Sequence, residues 1–140
     1  MKLNSKFHCG VKALVDICMY DNANGVLQKD IALRNNMSLK YLDQIISALK
    51  TANLIYKKGG FRQGYTLARD ASSITVYDVY RAIEPALNVY PCLSCTSQCP
   101  NMEKCATNLY FREINLDIQK ILESKTIEDI KQRQLEFEKV

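Results

Sequence analysis

The segment from residue 28 to residue 67 constrains the fold more than any other part of this 140-residue chain. Gln28–Arg34 has the apolar spacing of a short helix, and Asn35 and Asn36 stop it. Ser38 is suited to cap a second, longer helix, whose apolar residues recur at helical spacing: Leu42, Ile45, Ile46 and Leu49. Two helices joined by a tight polar turn predict a helix-turn-helix.

A basic hairpin is predicted directly after these helices. Two short β-prone runs, one at residues 54–58 and one at residues 65–67, flank a glycine-bearing turn. This is the layout of a winged helix, in which the second helix enters the major groove of DNA and the wing reaches phosphates or the minor groove. The predicted DNA-contacting residues are Ser38, Lys40, Tyr41, Asp43 and Gln44 on the helix, and Lys57, Lys58 and Arg62 on the wing.

The charge of the chain is unevenly distributed, although its net value is only +4. Residues 1–69 hold 11 basic and 4 acidic side chains, whereas residues 70–140 hold 8 basic and 11 acidic ones. The first half therefore carries a net charge of +7 and the second half −3. The first half produces the field that attracts a polyanion, which agrees with the position of the predicted winged helix.

The C-terminal half is predicted to be helical and to need a partner. A short helix over residues 74–83 is followed, beyond a cysteine-rich loop, by a long amphipathic helix over residues 109–122, and Thr126 opens a last helix. A long helix protruding from so small a domain must bury its apolar stripe, and a second copy of the chain is the simplest cover. The fold class is thus mainly α with a small β-hairpin wing: a winged helix-turn-helix domain (1–84), a cysteine-rich loop (85–106), and a long dimerisation helix with a C-terminal helix (107–140).

Four of the six cysteines follow the pattern C-x2-C-x3-C-x5-C, at Cys92, Cys95, Cys99 and Cys105. Thiolates so close in one loop can converge on a metal centre. We expect a cytoplasmic, reducing location, because no export signal follows Met1 and no apolar run approaches the roughly 20 residues of a membrane span. The spacing matches neither paired zinc hooks nor bacterial ferredoxins. An iron–sulfur cluster, zinc and unliganded thiols therefore all remain open at this point.

Enzymatic function is not expected. The chain has neither the phosphate loop G-x-x-x-x-G-K-[ST] nor the dinucleotide fingerprint G-x-G-x-x-G, and His8 is its single histidine. The patterns favour a regulator that binds double-stranded DNA. Two alternatives are a regulator of the same fold that uses thiol switching or zinc, and a small iron–sulfur electron-transfer protein.

Several separate segments resemble the IscR, NsrR and CymR group of winged-helix transcription regulators. They extend from Met1 to about Ile130, and the Cys99-x5-Cys105 pair before the long helix belongs to the likeness. The matching segments are residues 1–6, 37–44, 64–68 and 70–76. The resemblance implies a homodimer that binds pseudo-palindromic operator DNA, often as a repressor, with an iron–sulfur cluster (2Fe-2S or 4Fe-4S) in the cysteine loop of its cluster-binding members.

The resemblance also suggests cluster ligands, and here the chain departs from the family pattern. The three family cysteines correspond to Cys92, Cys99 and Cys105, with Cys95 as an additional thiol, so that either Cys92 or Cys95, or both, would be ligands. The histidine that completes the site in IscR-like members is replaced by Asn108. The acidic residue that reaches across from the partner subunit in NsrR-like members is replaced by His8, which makes His8 a further candidate ligand.

Overall fold

A computed structural model describes residues 3–60, 62–84, 86–89 and 102–139 of the chain. Most of this structure is helical, with one two-stranded antiparallel hairpin, which confirms the predicted fold class. The helices and strands are α1 (Ser5–Tyr20), α2 (Gln28–Arg34), α3 (Leu39–Thr51), β1 (Ile55–Lys57), β2 (Tyr65–Leu67), α4 (Val76–Ile83), α5 (Ala106–Glu123) and α6 (Ile127–Glu138).

Hydroxyl and amide side chains fix the beginnings of four helices. The Asn4 side chain accepts a hydrogen bond from a backbone N–H of α1, and the Ser38 hydroxyl accepts one in α3. Thr75 and Thr126 form capping boxes at α4 and α6. The predicted caps Ser38 and Thr126 are confirmed. Because Thr75 is itself a cap, α4 begins at Val76, two residues later than the apolar pattern suggested.

The core lies between the three helices α1, α3 and α4. In α1 and α3 the buried apolar side chains recur every three or four residues, so each helix presents one continuous stripe to the interior. Tyr80 of α4 is 1 % exposed and meets the ring of Phe7 edge-on, with 5.4 Å between ring centroids. Fully buried side chains of the stripes include Leu14, Ile17, Leu42, Ile45 and Leu49.

The base of the wing is attached to the loop between α1 and α2. Val26 and Tyr65 exchange two backbone hydrogen bonds of 2.8 Å, which adds a short bridge beside β2. The backbones approach so closely that a Cβ on Gly64 would lie 2.3 Å from the carbonyl of Val26. Only glycine fits at this position. The wing is therefore fixed at its base by main-chain contacts.

The last helix packs against the first domain. Ile127 is fully buried, and its N–H donates to the carbonyl of Ile74 at 2.9 Å. The Val76 N–H donates to the carbonyl of Lys125 at 2.8 Å, and α6 lies along α1. The sequence division at residue 107 separated α6 from the winged helix, but the structure includes α6 in the same core.

Candidate nucleic-acid interface and cysteine loop

The outward face of α3 is polar and exposed. Lys40, Asp43 and Gln44, three of the residues predicted to contact DNA, lie on this face. Ser47 and Thr51 continue the same face one and two turns further along, and both are exposed. The sequence reasoning did not select these two residues, although they lie seven and eleven positions after Lys40, which is the spacing of one helix face. A helix with this face can present hydrogen-bonding groups to base edges.

Ser38 and Tyr41 occupy different positions from these residues. Ser38 is exposed at the N-terminus of α3, where its hydroxyl accepts the Tyr41 N–H at 3.1 Å. The Tyr41 side chain is half-buried against the core and lies beside Cys9 of α1. Burial, and then the neighbouring Cys9 thiol, raise the pKa of Tyr41. Tyr41 thus lies on the side of α3 that faces the protein interior.

The three basic residues of the wing differ in their surroundings. Lys57 is exposed on β1. The Lys58 ammonium group donates to the carbonyl of Asn22 at 2.7 Å and lies 3.6 Å from a carboxylate oxygen of Asp21. Arg62 is exposed, has a positive φ of 71°, and borders a recess beside the α1–α2 loop. Lys58 therefore ties the wing to that loop, whereas Lys57 is available to a phosphate.

A polar network anchors α2 to α1 just before the helix-turn-helix turn. The Asp16 carboxylate, 6 % exposed, receives two hydrogen bonds from the Arg34 guanidinium, at 2.6 and 2.9 Å, and one of 3.0 Å from Asn35. The Arg34 guanidinium carbon also lies 4.0 Å from the ring centroid of Tyr20. The bond to Asp16 raises the pKa of Arg34, so this guanidinium remains charged. The network fixes the C-terminus of α2 and hence the start of α3.

Of the four loop cysteines, the structure describes Cys105. Its thiol is free and half-buried at the N-cap of α5. Cys92, Cys95 and Cys99 lie outside the described residues. His8 is exposed on α1, beside a groove bordered by Ile130 and Gln134 of α6. Across the residues the structure describes, no group of three or more His, Cys, Asp or Glu side chains comes together.

The donor set of the cysteine loop is chemically suited to an iron–sulfur cluster or zinc. The structure places one of these thiols, that of Cys105, at the N-cap of α5. Thiolates are soft ligands that both centres accept. Asn108, which stands where IscR-like members have histidine, is 5 % exposed, and its side-chain oxygen accepts a hydrogen bond of 2.9 Å from Arg112. Asn108 is thus buried in the first turn of α5 and is hydrogen-bonded to a residue one turn further along.

The α5 helix exposes several large apolar side chains. Asn108 is the one buried residue among those described in this helix, while Ile118 and Leu122 pack partly against the core. The large apolar side chains exposed on its surface are Leu109, Tyr110, Ile114, Leu116 and Ile121. No helix in the described ranges is long and apolar enough to cross a membrane. An exposed apolar surface of this kind is typical of a protein–protein interface.

A helix-turn-helix with a polar reading face, followed by a basic hairpin, defines a winged-helix DNA-binding protein. The profile of the Rrf2 family, described as "Iron-dependent Transcriptional regulator", matches residues 3–133. The chain belongs to the Rrf2 family of transcriptional regulators, whose members are not enzymes. The sequence-based prediction of a regulator is confirmed at this level, and the alternative of an electron-transfer protein is set aside.

Individual relatives agree with this assignment. Over 93 % of its length the chain is 31 % identical to the HTH-type transcriptional regulator IscR of Vibrio campbellii, covering 77 % of that protein. It is 34 % identical to the protein rrf2 of Nitratidesulfovibrio vulgaris, over 93 % of this chain and 87 % of that one. Among solved structures, CymR of B. subtilis, the global cysteine regulator, has a TM-score of 0.74 at 26 % identity, covering 95 % and 98 % of the two chains. IscR of T. potens has a TM-score of 0.74 at 28 % identity, covering 96 % and 88 %.

Proposed function

We propose that this protein is a cytoplasmic, homodimeric repressor that binds pseudo-palindromic double-stranded DNA, and that an iron–sulfur cluster in its cysteine loop controls its affinity for the operator. The observation that carries the DNA-binding part is the exposed polar face of α3 beside a wing that is fixed at its base. The proposed homodimer rests on the exposed apolar face of α5. A two-fold dimer would present two α3 helices to two half-sites of the operator.

The proposed roles of the DNA-contacting residues follow from their chemistry. The Gln44 amide can form a bidentate pair with adenine, and the Asp43 carboxylate can accept a hydrogen bond from cytosine N4. Lys40 and Lys57 would contact phosphates, and Arg62 would enter the minor groove. Ser38 and Tyr41 are assigned a different task, since one caps α3 and the other packs against the core. They set the position of the reading helix.

The cluster part of the proposal rests on the thiol donors. Cys92, Cys95, Cys99 and Cys105 would hold the cluster, with His8 of the partner subunit as the alternative to one of the first two. When bound, the cluster would supply a centre sensitive to iron supply, redox state or nitric oxide. Cys105 is directly continuous with α5. Ligation at Cys105 would therefore act on α5, the helix proposed to join the two subunits. In such a dimer the position of α5 would set the separation of the two α3 helices.

DNA binding is tested by selecting bound sequences from random duplexes, followed by fluorescence anisotropy over a range of salt concentrations. Gln44→Ala should change base preference by about 1–3 kcal/mol at one base pair of each half-site. Lys57→Ala should weaken binding to all sequences alike and reduce the salt slope by about 1. Lys58→Ala is the matched control, because the Lys58 ammonium group already contacts Asn22 and Asp21, and it should change the salt slope less. A change of base preference with Lys57→Ala but not with Gln44→Ala would contradict this assignment.

The cluster is tested by purification without oxygen, with an absorption spectrum and iron and sulfide assays. Cys99→Ser and Cys105→Ser should each abolish the cluster. If all four thiols are ligands, Cys92→Ser and Cys95→Ser should also remove or shift the visible absorption, and His8→Ala should leave it intact. We favour this version, because the fourth thiol is already in the loop. If the partner subunit supplies a ligand, His8→Ala should disturb the spectrum and one of Cys92→Ser and Cys95→Ser should be silent. Protein without iron or sulfide that still binds DNA specifically would replace the cluster with a thiol switch or zinc.

A further inference from the structure

The Asp43 side chain on the reading face of α3 is held by a residue of the preceding helix. Gln28, the first residue of α2, donates a hydrogen bond from Nε2 to Oδ1 of Asp43. Gln28 is half-buried, whereas Asp43 is exposed. The two residues are fifteen positions apart in the chain. The contact thus joins the two helices of the helix-turn-helix at the surface proposed to face DNA.

The negative charge of the same carboxylate also acts on Tyr65 of the wing. Tyr65 of β2 packs against the core, and its pKa is raised by burial and, second, by the negative charge of Asp43. In the described part of the chain, no lysine or arginine forms an ion pair with Asp43. The hydrogen-bond partner of Asp43 is the neutral Gln28 amide, which orients the carboxylate without cancelling its charge.

This arrangement has a consequence for base reading. An aspartate side chain on a helix surface otherwise rotates about two torsions, and ordering it on binding costs free energy. A hydrogen bond at Oδ1 fixes the carboxylate in advance and leaves Oδ2 able to accept from a base donor. In the major groove, cytosine N4 is such a donor, whereas guanine presents acceptors that repel the carboxylate.

We propose that Gln28 is a positioning residue for sequence recognition: it orients the Asp43 carboxylate so that a cytosine is preferred at one base pair in each operator half-site. The inference rests on the proposed function, in which Asp43 reads a base. It makes specificity at that base pair depend on a side chain of α2, outside the reading helix. A residue with a purely structural role would leave base preference unchanged, as would one that binds only a phosphate.

The test uses the full-length protein prepared without oxygen and measures the relative affinity for all four base pairs at every operator position. The variants are Gln28→Met, which keeps the length of the side chain and removes the donor, Asp43→Asn, and the double variant. Gln28→Met should lower the preference for cytosine about threefold or more, at the same base pair that Asp43→Asn changes. The double variant should resemble Asp43→Asn, because both substitutions remove one interaction.

Lys29→Ala is the matched control, since Lys29 is the exposed neighbour of Gln28 on α2. It should change affinity uniformly across sequences and leave base preference unaltered. Thermal unfolding of Gln28→Met should match the parent, which separates positioning from folding. The proposal is overturned if Gln28→Met weakens all sequences equally, or if Asp43→Asn shifts the preference and Gln28→Met does not. If neither the parent nor Asp43→Asn shows any base preference at that position, the proposed reading by Asp43 itself fails.

Discussion

The helices α3 and α5 are both amphipathic, yet the chain buries them very differently. In the 13-residue α3, the apolar stripe lies wholly in the core, and its side chains are at most 3 % exposed. In the 18-residue α5, Asn108 is the buried residue among those described, and five large apolar side chains are exposed. The apolar stripe of α3 is therefore covered within the chain, whereas large apolar side chains of α5 are exposed in it.

The return of the chain to α1 explains this difference. Residues 74–76 and 125–127 are joined by backbone hydrogen bonds, and α6 then packs along α1. The core is closed by this contact without the outer face of α5. Among the described residues, Ile118 and Leu122 are the apolar side chains of α5 that pack against this core, whereas Leu109, Tyr110, Ile114, Leu116 and Ile121 are exposed.

The largest expected effect is in the closed core. Leu42 is fully buried, so Leu42→Ala should lower the free energy of unfolding by about 2–5 kcal/mol. Leu116→Ala is the matched change on α5, where the side chain is 53 % exposed. At low protein concentration, Leu116→Ala should lower the free energy of unfolding far less than Leu42→Ala does. Denaturant unfolding at several protein concentrations measures the free energy of unfolding of both variants. Equal decreases in dilute protein would contradict the difference between α3 and α5.

The second prediction concerns association through α5. Ile114→Asp and Ile121→Asp together should raise the dissociation constant of the proposed dimer at least about tenfold, because each places a charge in an apolar interface. Sedimentation velocity measures this change. Ile118 is unsuitable for the test, because it packs partly against the core of its own chain. Leu33→Asp is the control, since Leu33 is 78 % exposed on α2. If the protein that carries both Ile114→Asp and Ile121→Asp still forms the dimer, the proposed interface on α5 is contradicted.

The third prediction tests the fixed base of the wing. Gly64→Ala places a methyl group against the backbone of Val26 and should cost about 1–3 kcal/mol of stability. Gly59→Ala is the control in the same hairpin, because a Cβ at Gly59 would have no neighbour within 4 Å. Thermal unfolding compares the two variants. Equal melting temperatures would show that the close approach at Gly64 does not restrain the wing.

The smallest expected effect is the pH dependence at the start of α6. Hydrogen bonds from Thr126 lower the pKa of Asp129 in the folded protein. Because the pKa is lowered on folding, the ionised Asp129 stabilises the folded protein at neutral pH. This stabilisation is lost as the pH falls from the pKa of an ordinary carboxyl group to the lowered pKa of Asp129. Asp129→Asn should therefore flatten the acid limb of stability between about pH 5 and 2. Unfolding measured across this range checks it, and an unchanged acid limb would contradict the prediction.

Local sequence patterns determined much of the fold. The bounds of α2 follow directly from the apolar spacing and the two asparagines after it, and the caps Ser38 and Thr126 are where the hydroxyl pattern placed them. The hairpin and the exposed stripe of α5 were also predicted. These features depend on residues within a few positions of one another, so their physical cause is visible in the sequence. The ligand roles of Cys92, Cys95, Cys99 and Cys105 stay predictions.

Other features were decided only by tertiary structure. Lys57 and Lys58 are adjacent and chemically alike, but only Lys58 is held by Asn22 and Asp21, 36 and 37 positions away. The sequence around Gln28 does not indicate its contact with Asp43. The sequence of α6 likewise does not indicate that this helix packs on α1. Contacts between residues distant in the chain arise from how the elements pack, and a periodic pattern records which face is buried without recording what it meets.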